Sequence, residues 1–376
     1  MNDITRRPGA ALASPLVPGA LSRASTDEQL VALWLRRPNL SPQTVRAAAK
    51  EAKRFLMWCA VQQLELRTVA YEHLLGYAEF LTAPSPTDQW IAPAKYPRGD
   101  PDWRPFLGPL SPSSQRQALI IIKGLFSWAQ AAGYLRDNPA RLLGPMPMDV
   151  EDKVTRFLPQ AAMPYLLQAV DRLPNATPAE QLRQARARFV LLAYYYSAAR
   201  LAELASADMR NFRRDQNGRW WLHVLGKGSK RGQIPVADAL LYAFRQYRTA
   251  LGLSALPPHD EALPLILASH GPQRRASQHT VARIIKKVVG IATKVAQVDG
   301  QHELAGQIEQ ASTHWLRHTS LSHQADAGVP LKTLQANARH ANIKTTGRYL
   351  HNEDAKRHSE TNAWAKHNPL KNHGDS

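Results

Sequence analysis

A short stretch without helical periodicity, residues 144–157, separates two long stretches in which apolar residues recur at helical spacing. It begins GPMPMDVEDKVT, and such a mixture of proline, methionine and acidic residues is typical of a linker. The 376 residues of the chain also suit two domains, at roughly 100–200 residues per domain. We therefore predict a disordered tail over 1–26, a helical domain over 27–143 and a second domain over 158–376.

The first domain is predicted to consist of helices with one interruption. Ser41 and Pro42 are a typical N-cap and first-turn proline, and apolar residues then recur at helical spacing as far as Cys59. Residues 83–112 contain eight prolines and little periodicity, so they cannot continue a helix. We interpret them as a Pro-rich insertion that is either functional or disordered, and disorder is the simpler interpretation.

The balance of charge favours a polyanionic partner. The chain has 48 Lys and Arg residues against 30 Asp and Glu residues, a formal net charge of +18. On the helix that begins at Pro42, the residues Arg46, Lys50 and Lys53 fall on one face at i, i+4 and i+7. A solvated surface explains any one of them, but as a row in so basic a chain they are candidate contacts to nucleic-acid phosphates.

Other features restrict the class of protein. No run approaches the ~18 consecutive apolar residues of a membrane span. The N-terminal segment also lacks the continuous apolar stretch of a signal peptide. The single cysteine, Cys59, excludes an internal disulfide framework and a cysteine-rich zinc site. We therefore expect a cytoplasmic protein without a membrane partner.

The second domain is predicted to be mainly helical, with two short strands around a glycine-bearing turn at 220–236. This turn contains Lys227, Lys230 and Arg231. It is typical of a flexible basic hairpin at the surface, and its spacing does not fit a Walker A phosphate loop.

An arginine and a glutamate stand at the end of a strongly apolar helical stretch. Arg200 would be at least half-buried there, and its guanidinium needs an anionic partner because it cannot lose its charge. Glu203, three residues later on the same helical face, could orient the guanidinium. A local salt bridge is the simpler alternative to an anion site.

Two histidines, an arginine and a tyrosine form a further group near the C-terminus. His314 and Arg317 lie on one helix face at i, i+3, and His340 and Tyr349 follow them. A metal site is the alternative for the histidines. However, the sequence has no HExxH element, no close carboxylate pair and no second cysteine, so we predict neither metal nor cofactor.

Taken in this order, these elements resemble those of the tyrosine recombinase (phage integrase) family. The family's Arg-x-x-Glu-Leu element is similar to residues 200–204, its Gly-Lys-Gly hairpin to 226–236 and its His-x-x-Arg-His-Thr element to 314–319. The family's second histidine corresponds to His340 and its nucleophile to Tyr349.

The resemblance extends into the N-terminal half and has two departures. Residues 126–129 (FSWA) and 133–139 (GYLRDNP) are similar to the family's helical core-binding domain. The family's usual Thr-Gly-Leu is replaced by Ser-Ala-Ala at 197–199, and its usual Leu-Gly by Ala-Arg at 338–339. Both departures leave the neighbouring site residue in place, so they bear on local backbone shape more than on chemistry.

The resemblance implies a mainly α fold in two domains. These are an all-α N-terminal core-binding (SAM-like) domain and an α+β catalytic domain with a small antiparallel sheet. It implies a site-specific recombinase or integrase that cleaves and rejoins DNA strands through a 3′-phosphotyrosyl intermediate, without metal or ATP.

The resemblance also implies a role for each site residue. Tyr349 would be the nucleophile, and Arg200 and Arg317 would bind the phosphate, for which planar and permanently charged guanidinium groups are well suited. Lys227 would protonate the departing 5′-oxygen. His314 would accept or return the tyrosine proton, and His340 would donate a hydrogen bond to the phosphate. Lys230 and Arg231 are alternatives for the acid role. Glu203 would orient the Arg200 guanidinium without contacting the phosphate itself.

The partners implied are double-stranded DNA, clamped between the two domains, and three further copies of the chain in a homotetramer on two DNA sites. Accessory DNA-bending proteins would be additional partners, and a mobile genetic element the biological setting. Residues 352–367 would pass to a neighbouring copy or form an intramolecular C-terminal helix. The alternatives are a non-catalytic DNA-binding relative and a type IB topoisomerase-like enzyme that relaxes DNA.

Overall fold

The computed structural model describes residues 21–38, 40–144, 156–226, 230–269, 273–349, 358 and 361–364. The chain divides into two compact units, Met1–Asp149 and Val150–Ser376. Most of the predicted linker and of the predicted N-terminal tail lie outside the described residues, so the domain boundaries given above stay a prediction.

The first unit is helical. Its helices are α1 (Asp27–Leu35), α2 (Pro42–Val61), α3 (Tyr71–Thr82), α4 (Thr87–Trp90) and α5 (Pro112–Ala131), followed by a 3-10 segment at Pro139–Leu143. The Ser41 hydroxyl caps α2 by accepting a hydrogen bond from the Thr44 N–H over 3.1 Å. Phe55 and Cys59 on α2 are buried in the core of this unit, with aromatic rings from α3 and α5 around Phe55.

The interpretation of residues 83–112 as disordered is wrong. The segment contains α4, and the side chains of Trp90 and Phe106 are buried in the core of the first unit. Two backbone hydrogen bonds join the segment to itself, from Ala92 N–H to the Phe106 carbonyl (2.9 Å) and from Phe106 N–H to the Trp90 carbonyl (3.0 Å). Proline excludes a long helix here, but burial of two large aromatic side chains still orders the segment.

The second unit is mainly helical and contains the predicted small sheet. Its elements are α6 (Ala162–Asp171), α7 (Pro178–Ser197), α8 (Leu201–Ser206), a 3-10 turn at Met209–Asn211, β1 (Phe212–Arg214), β2 (Trp220–Leu225), β3 (Arg231–Pro235), α9 (Asp238–Ala250), α10 (Gln278–Val298), α11 (His302–Glu309), α12 (Thr313–Asp326), α13 (Leu331–Ala338) and α14 (Ile343–Gly347). Its core is formed mainly by α6, α7, α9 and α10 with the inner face of the sheet.

The sheet is antiparallel in the order β1–β2–β3. The paired residues Leu222 and Ile234 are both buried, which fixes the register because a slip of one residue would turn them to the opposite face. The two predicted strands are therefore present, and β1 is an additional strand of three residues. Within the described part of the chain, no helix has the length and apolar character needed to cross a membrane.

One local prediction in the second unit needs correction. Arg200 does not end the apolar helix, because α7 stops at Ser197 and Ala198 adopts a left-handed conformation with φ of 47°. The chain then turns, and Arg200 precedes the first residue of α8. The predicted C-terminal helix lies mostly outside the described residues; residues 358 and 361–364 are helical.

Candidate active site

Five side chains that the sequence singles out lie together where helices of the second unit begin or end. They are Arg200 before α8, His314 and Arg317 on α12, His340 after α13 and Tyr349 after α14. Behind them, the apolar side chains of Ala198, Leu321, Leu334 and Ala338 pack with the Tyr349 ring. These contacts hold the ends of α7, α12, α13 and α14 in one place.

Arg317 is the most buried of the arginines in this site, with 4% of its surface exposed. Its guanidinium donates to the carbonyls of Ala198 and, over 2.7 Å, Ala338, which end α7 and α13. Helix C-termini carry unpaired carbonyls and partial negative charge, so they suit a cation. Burial and the charges of Arg200 and Arg339 lower the pKa of Arg317 to about 10, so the group stays charged at neutral pH.

Arg200 is oriented by Glu203. The Arg200 backbone N–H donates to Glu203 Oε2 over 2.7 Å, and its Nη1 donates to Oε1 over 3.0 Å. The Arg200 side chain is 43% exposed whereas that of Glu203 is 2% exposed. The guanidinium therefore remains open to a ligand while the carboxylate is enclosed. Burial raises the pKa of Glu203, but the charge of Arg339 and hydrogen bonds from Arg200 and Arg339 outweigh it, so the pKa is below its usual value.

Arg339 is a third arginine at this site, and it was not among the predicted site residues. Its Nη2 donates to Glu203 Oε2 over 2.5 Å and its Nη1 to the Asn337 carbonyl over 2.9 Å. Arg339 is left-handed, with φ of 54°, at the position where the resemblance predicts glycine. The departure from the family's Leu-Gly was the one indication that this position is unusual.

His340 joins Arg317 to Tyr349. Its Nε2 lies 3.0 Å from Arg317 Nη2, its Nδ1 lies 3.0 Å from Thr346 Oγ1, and its ring stacks on the Tyr349 ring at a centroid distance of 6.1 Å. Burial and the charges of Arg317, Arg200 and Arg339 lower the pKa of His340 to about 4. The ring is therefore neutral at pH 7.

Tyr349 is 2% exposed, and its hydroxyl bonds to a histidine that was not predicted. Tyr349 Oη lies 2.6 Å from His318 Nδ1, and His318 Nε2 lies 2.7 Å from His314 Nε2. His314, the predicted acceptor of the tyrosine proton, is thus joined to Tyr349 through His318. His318 is part of the His-x-x-Arg-His-Thr element, and its i, i+4 spacing from His314 is the feature that indicates the contact.

The phenol of Tyr349 is held in its protonated form. Burial raises its pKa above the usual value, and the positive charges of Arg317, Arg348 and Arg200 offset this only in part. A nucleophilic role therefore needs a base that takes the proton as the oxygen attacks.

The β2–β3 hairpin starts beside this site. The Gly226 N–H donates to the Lys230 carbonyl over 2.8 Å, and a Cβ built on Gly226 would lie 3.5 Å from Glu203 Oε1. Lys230 and Arg231 are exposed on the hairpin. Lys227 lies outside the described residues, so its predicted place in the site stays a prediction.

The predicted row on α2 belongs to the first unit. Arg46, Lys50 and Lys53 are all exposed. Lys50 Nζ forms an ion pair with Glu51 over 3.2 Å, and Arg46 Nε donates to the Pro42 carbonyl over 3.3 Å. Glu51 also pairs with Arg54 over 2.6 Å, so Lys50 shares the one negative charge of this carboxylate with Arg54.

The site carries an excess of positive charge. Arg200 and Arg339 share the Glu203 carboxylate, and Arg317 binds helix carbonyls instead of a carboxylate. Such an arrangement favours an anion held between guanidinium groups beside the tyrosine. Among the described residues, no three His, Cys, Asp or Glu side chains are arranged to hold a metal ion.

Comparison with known proteins gives the family. Residues 156–356, more than half of the chain, match the phage integrase family. Tyrosine recombinase XerC of Corynebacterium glutamicum is 29% identical over 231 residues, 61% of this chain and 65% of that protein. Tyrosine recombinase XerD of Brucella abortus is 28% identical over 268 residues, 69% of this chain and 77% of that protein.

A solved structure shows the same fold. It is the XerH site-specific recombinase bound to a palindromic difH substrate, with a TM-score of 0.62 and 16% identity, covering 91% of this chain and 86% of that one. The chain belongs to the phage integrase family of tyrosine recombinases.

Proposed function

We propose that this tyrosine recombinase cleaves and rejoins double-stranded DNA at specific sites, with Tyr349 as the nucleophile and a 3′-phosphotyrosyl link as the intermediate. The observation that carries the proposal is the buried Tyr349 hydroxyl, which bonds to His318 and lies beside His340 and Arg317. Three guanidinium groups share the single Glu203 carboxylate or bind carbonyls instead, and a DNA phosphate would supply the further negative charge.

In the first step the Tyr349 oxygen attacks the phosphorus of a phosphodiester. The bond from phosphorus to Oη forms, and the bond from phosphorus to the 5′-oxygen breaks, which leaves a free 5′-hydroxyl. A phenol, with a reference pKa of about 10, is a better leaving group than an alkoxide, so a 5′-hydroxyl can later reverse the step. No ATP is needed because the phosphotyrosyl link keeps the energy of the original bond.

The arginines stabilise the charge that gathers on the non-bridging oxygens of the transition state. Arg317 is fixed by helix-end carbonyls and Arg200 by Glu203, so both are oriented before the phosphate arrives. His340 Nε2 accepts from Arg317 and its Nδ1 bonds to Thr346, so to donate to the same oxygens, the role that the family resemblance implies, the ring would have to exchange one of these contacts for the phosphate.

Lys227 is the proposed acid for the departing 5′-oxygen. This assignment rests on the family's Gly-Lys-Gly hairpin, and the support from this chain is that the base of the hairpin packs against Glu203 and Arg339. Lys230 and Arg231, exposed on the same hairpin, are the alternatives for the role.

The partners are proposed from the family and from charge. Arg46, Lys50, Lys53, Lys230 and Arg231 are exposed basic side chains that suit contacts with phosphates. The related lambda integrase was crystallised as a dimer bound to a core site.

For this chain we propose a homotetramer on two DNA sites in the cytoplasm, with accessory DNA-bending proteins. We also propose that residues 352–367 pass to a neighbouring copy or form an intramolecular helix, and that the host DNA is a mobile genetic element.

The test uses supercoiled DNA that carries the segments flanking the gene. Wild-type protein is incubated with this DNA in excess EDTA, and a protein–DNA adduct that survives SDS but not protease is the expected product. Exchange between two such segments supports recombination. Relaxation of the DNA without exchange would favour the topoisomerase alternative, and tight binding without an adduct would favour the non-catalytic one.

A further inference from the structure

One ionisable side chain that touches the reacting oxygen has no role in the mechanism above. This is His318, whose Nδ1 lies 2.6 Å from Tyr349 Oη. His318 lies one turn after His314 on α12, and the two rings meet edge to face at a centroid distance of 4.2 Å and an angle of 79°. Their Nε2 atoms are 2.7 Å apart, which is a hydrogen-bond distance between nitrogens.

The three groups form a hydrogen-bonded chain, and the nitrogen that carries the proton in each ring sets the direction in which its donors point. A hydrogen bond between two Nε2 atoms needs a proton on one and a lone pair on the other. When the phenol donates to His318 Nδ1, the His318 proton is on Nε2 and points at His314 Nε2. His314 then carries its own proton on Nδ1. All donors in this chain point from Tyr349 towards His314.

We propose that His318 is a catalytic residue that passes the Tyr349 proton to His314 during strand cleavage. As the bond from Oη to phosphorus forms, the phenolic proton moves to His318 Nδ1, and the His318 Nε2 proton moves to His314 Nε2. His314 becomes the imidazolium, and His318 ends neutral with its proton on Nδ1. Rejoining runs the same transfers backwards and returns the proton to the departing phenolate. The proposal rests on the nucleophilic role of Tyr349 and assigns the base for it.

Charge and exposure favour this direction. Burial and the charges of His314, Arg317, Arg348 and His340 lower the pKa of His318 to about 4. His318 is therefore neutral at pH 7 and cannot hold a proton for long, which suits transfer better than storage. His314 is the exposed member of the pair, so solvent can stabilise the charge that it takes up, although burial and the charges of Arg317, Arg156 and Arg200 lower its own pKa as well.

The first experiment compares two reactions of the variant His318→Asn, which keeps a polar group but cannot pass a proton. One reaction is cleavage of a nicked suicide substrate by His318→Asn protein that keeps Tyr349. The other, in a Tyr349→Phe background, joins a 5′-hydroxyl strand to a strand that ends in a 3′-(4-nitrophenyl) phosphate. There 4-nitrophenolate leaves as the anion, so the step needs no proton at the tyrosine position.

The proposal predicts that His318→Asn slows cleavage by about 10²–10⁴-fold, the usual contribution of a general base. It predicts that the nitrophenyl reaction proceeds at the rate of its Tyr349→Phe parent. Equal slowing of both reactions would mean that His318 only supports the structure, and wild-type cleavage by His318→Asn would mean that it has no role. If the wild-type protein does not cleave the suicide substrate and the Tyr349→Phe parent does not join the nitrophenyl strand, the proposed function itself fails.

Two further measurements distinguish proton transfer by His318 from a purely structural role of this residue. Cleavage by His318→Asn is expected to rise by about tenfold per pH unit as hydroxide replaces the base, whereas the wild-type rate is expected to level off near neutrality. In the free protein, ¹⁵N spectra of labelled histidine are expected to show the His318 proton on Nε2. A proton fixed on Nδ1 would contradict the direction of the relay without involving DNA at all.

Discussion

Arg339 donates from Nη2 to the Glu203 carboxylate over 2.5 Å, which ties the turn before His340 to the residue that orients Arg200. The same side chain crosses β3, where a Cβ built on Gly232 would lie 2.4 Å from Arg339 Cδ. One arginine thus contacts the start of α8, the hairpin strand and the turn of the second histidine. In this chain it stands in place of a glycine that would make none of these contacts.

The close approach of Arg339 to β3 predicts a dependence between two positions. Gly232→Ala places a methyl group against Arg339, so we expect it to lower the melting temperature and the cleavage rate of the wild-type protein. In an Arg339→Gly background the same substitution should have little effect, because the clash is gone. Equal effects in both backgrounds would contradict the contact.

The ion pair itself is expected to stabilise the second unit. Arg339→Ala leaves Glu203 with one partner, so we expect a loss of about 1–3 kcal/mol of stability in urea unfolding. Arg339→Gly should cost less, because glycine adopts a positive φ readily. A larger loss for Arg339→Gly than for Arg339→Ala would show that the backbone conformation contributes nothing.

The lowered pKa of Glu203 predicts how stability depends on pH. A carboxyl whose pKa in the folded state is below its ordinary value of 4.5 stabilises the fold above that value, and the contribution disappears as pH falls through the lower folded pKa. The stability difference between wild type and Glu203→Gln should therefore be larger at pH 7 than at pH 3. Thermal unfolding at both pH values measures it, and a difference that stays constant would contradict the pairing.

Arg317→Lys is expected to separate catalysis from binding. A lysine has one point charge and cannot reach the Ala198 and Ala338 carbonyls together while facing a phosphate. We expect a fall of about 10²–10³ in the single-turnover cleavage rate. DNA affinity by gel shift should change little, because one contact in a large interface is lost. A variant that cleaves like wild type would remove Arg317 from the mechanism.

The row on α2 provides its own matched control. Arg46→Ala and Lys53→Ala should each weaken DNA binding and reduce the slope of log affinity against log salt by about 1. Lys50→Ala, on the same face, should have a smaller effect because Lys50 is already paired with Glu51. If log affinity falls with log salt at the same slope in all three variants and the wild type, the row on α2 does not contact DNA phosphates.

Much of the fold follows from patterns that are local in the chain. Apolar spacing and the Ser41 cap predict α2, and the paired strands follow from alternation around a glycine-bearing turn. The order of residues 83–112 could not be predicted in this way, because it depends on Trp90 and Phe106 reaching a core built from distant helices.

Prediction of the candidate active site is limited in the same way, by contacts between residues that are distant in the chain. The six candidate catalytic residues follow from their resemblance to the family's elements, but the contacts of the five that the structure describes depend on where helix ends meet. His318 is part of a motif that the sequence shows. Its contact with the Tyr349 hydroxyl, however, depends on the packing of Tyr349 against α12, which the sequence does not show. Likewise, the left-handed turn at Ala198 moves Arg200 from the end of one helix to the start of the next.

The most direct measurement is to identify the residue that becomes attached to DNA. The adduct formed on a nicked suicide substrate would be trimmed with nuclease, digested with protease and sequenced by mass spectrometry, with Tyr349→Phe as the parallel sample. We expect a nucleotide joined through its 3′-phosphate to Tyr349 in the wild type and no adduct in the variant. A nucleotide attached to any other residue, or an adduct that persists in Tyr349→Phe, would contradict it.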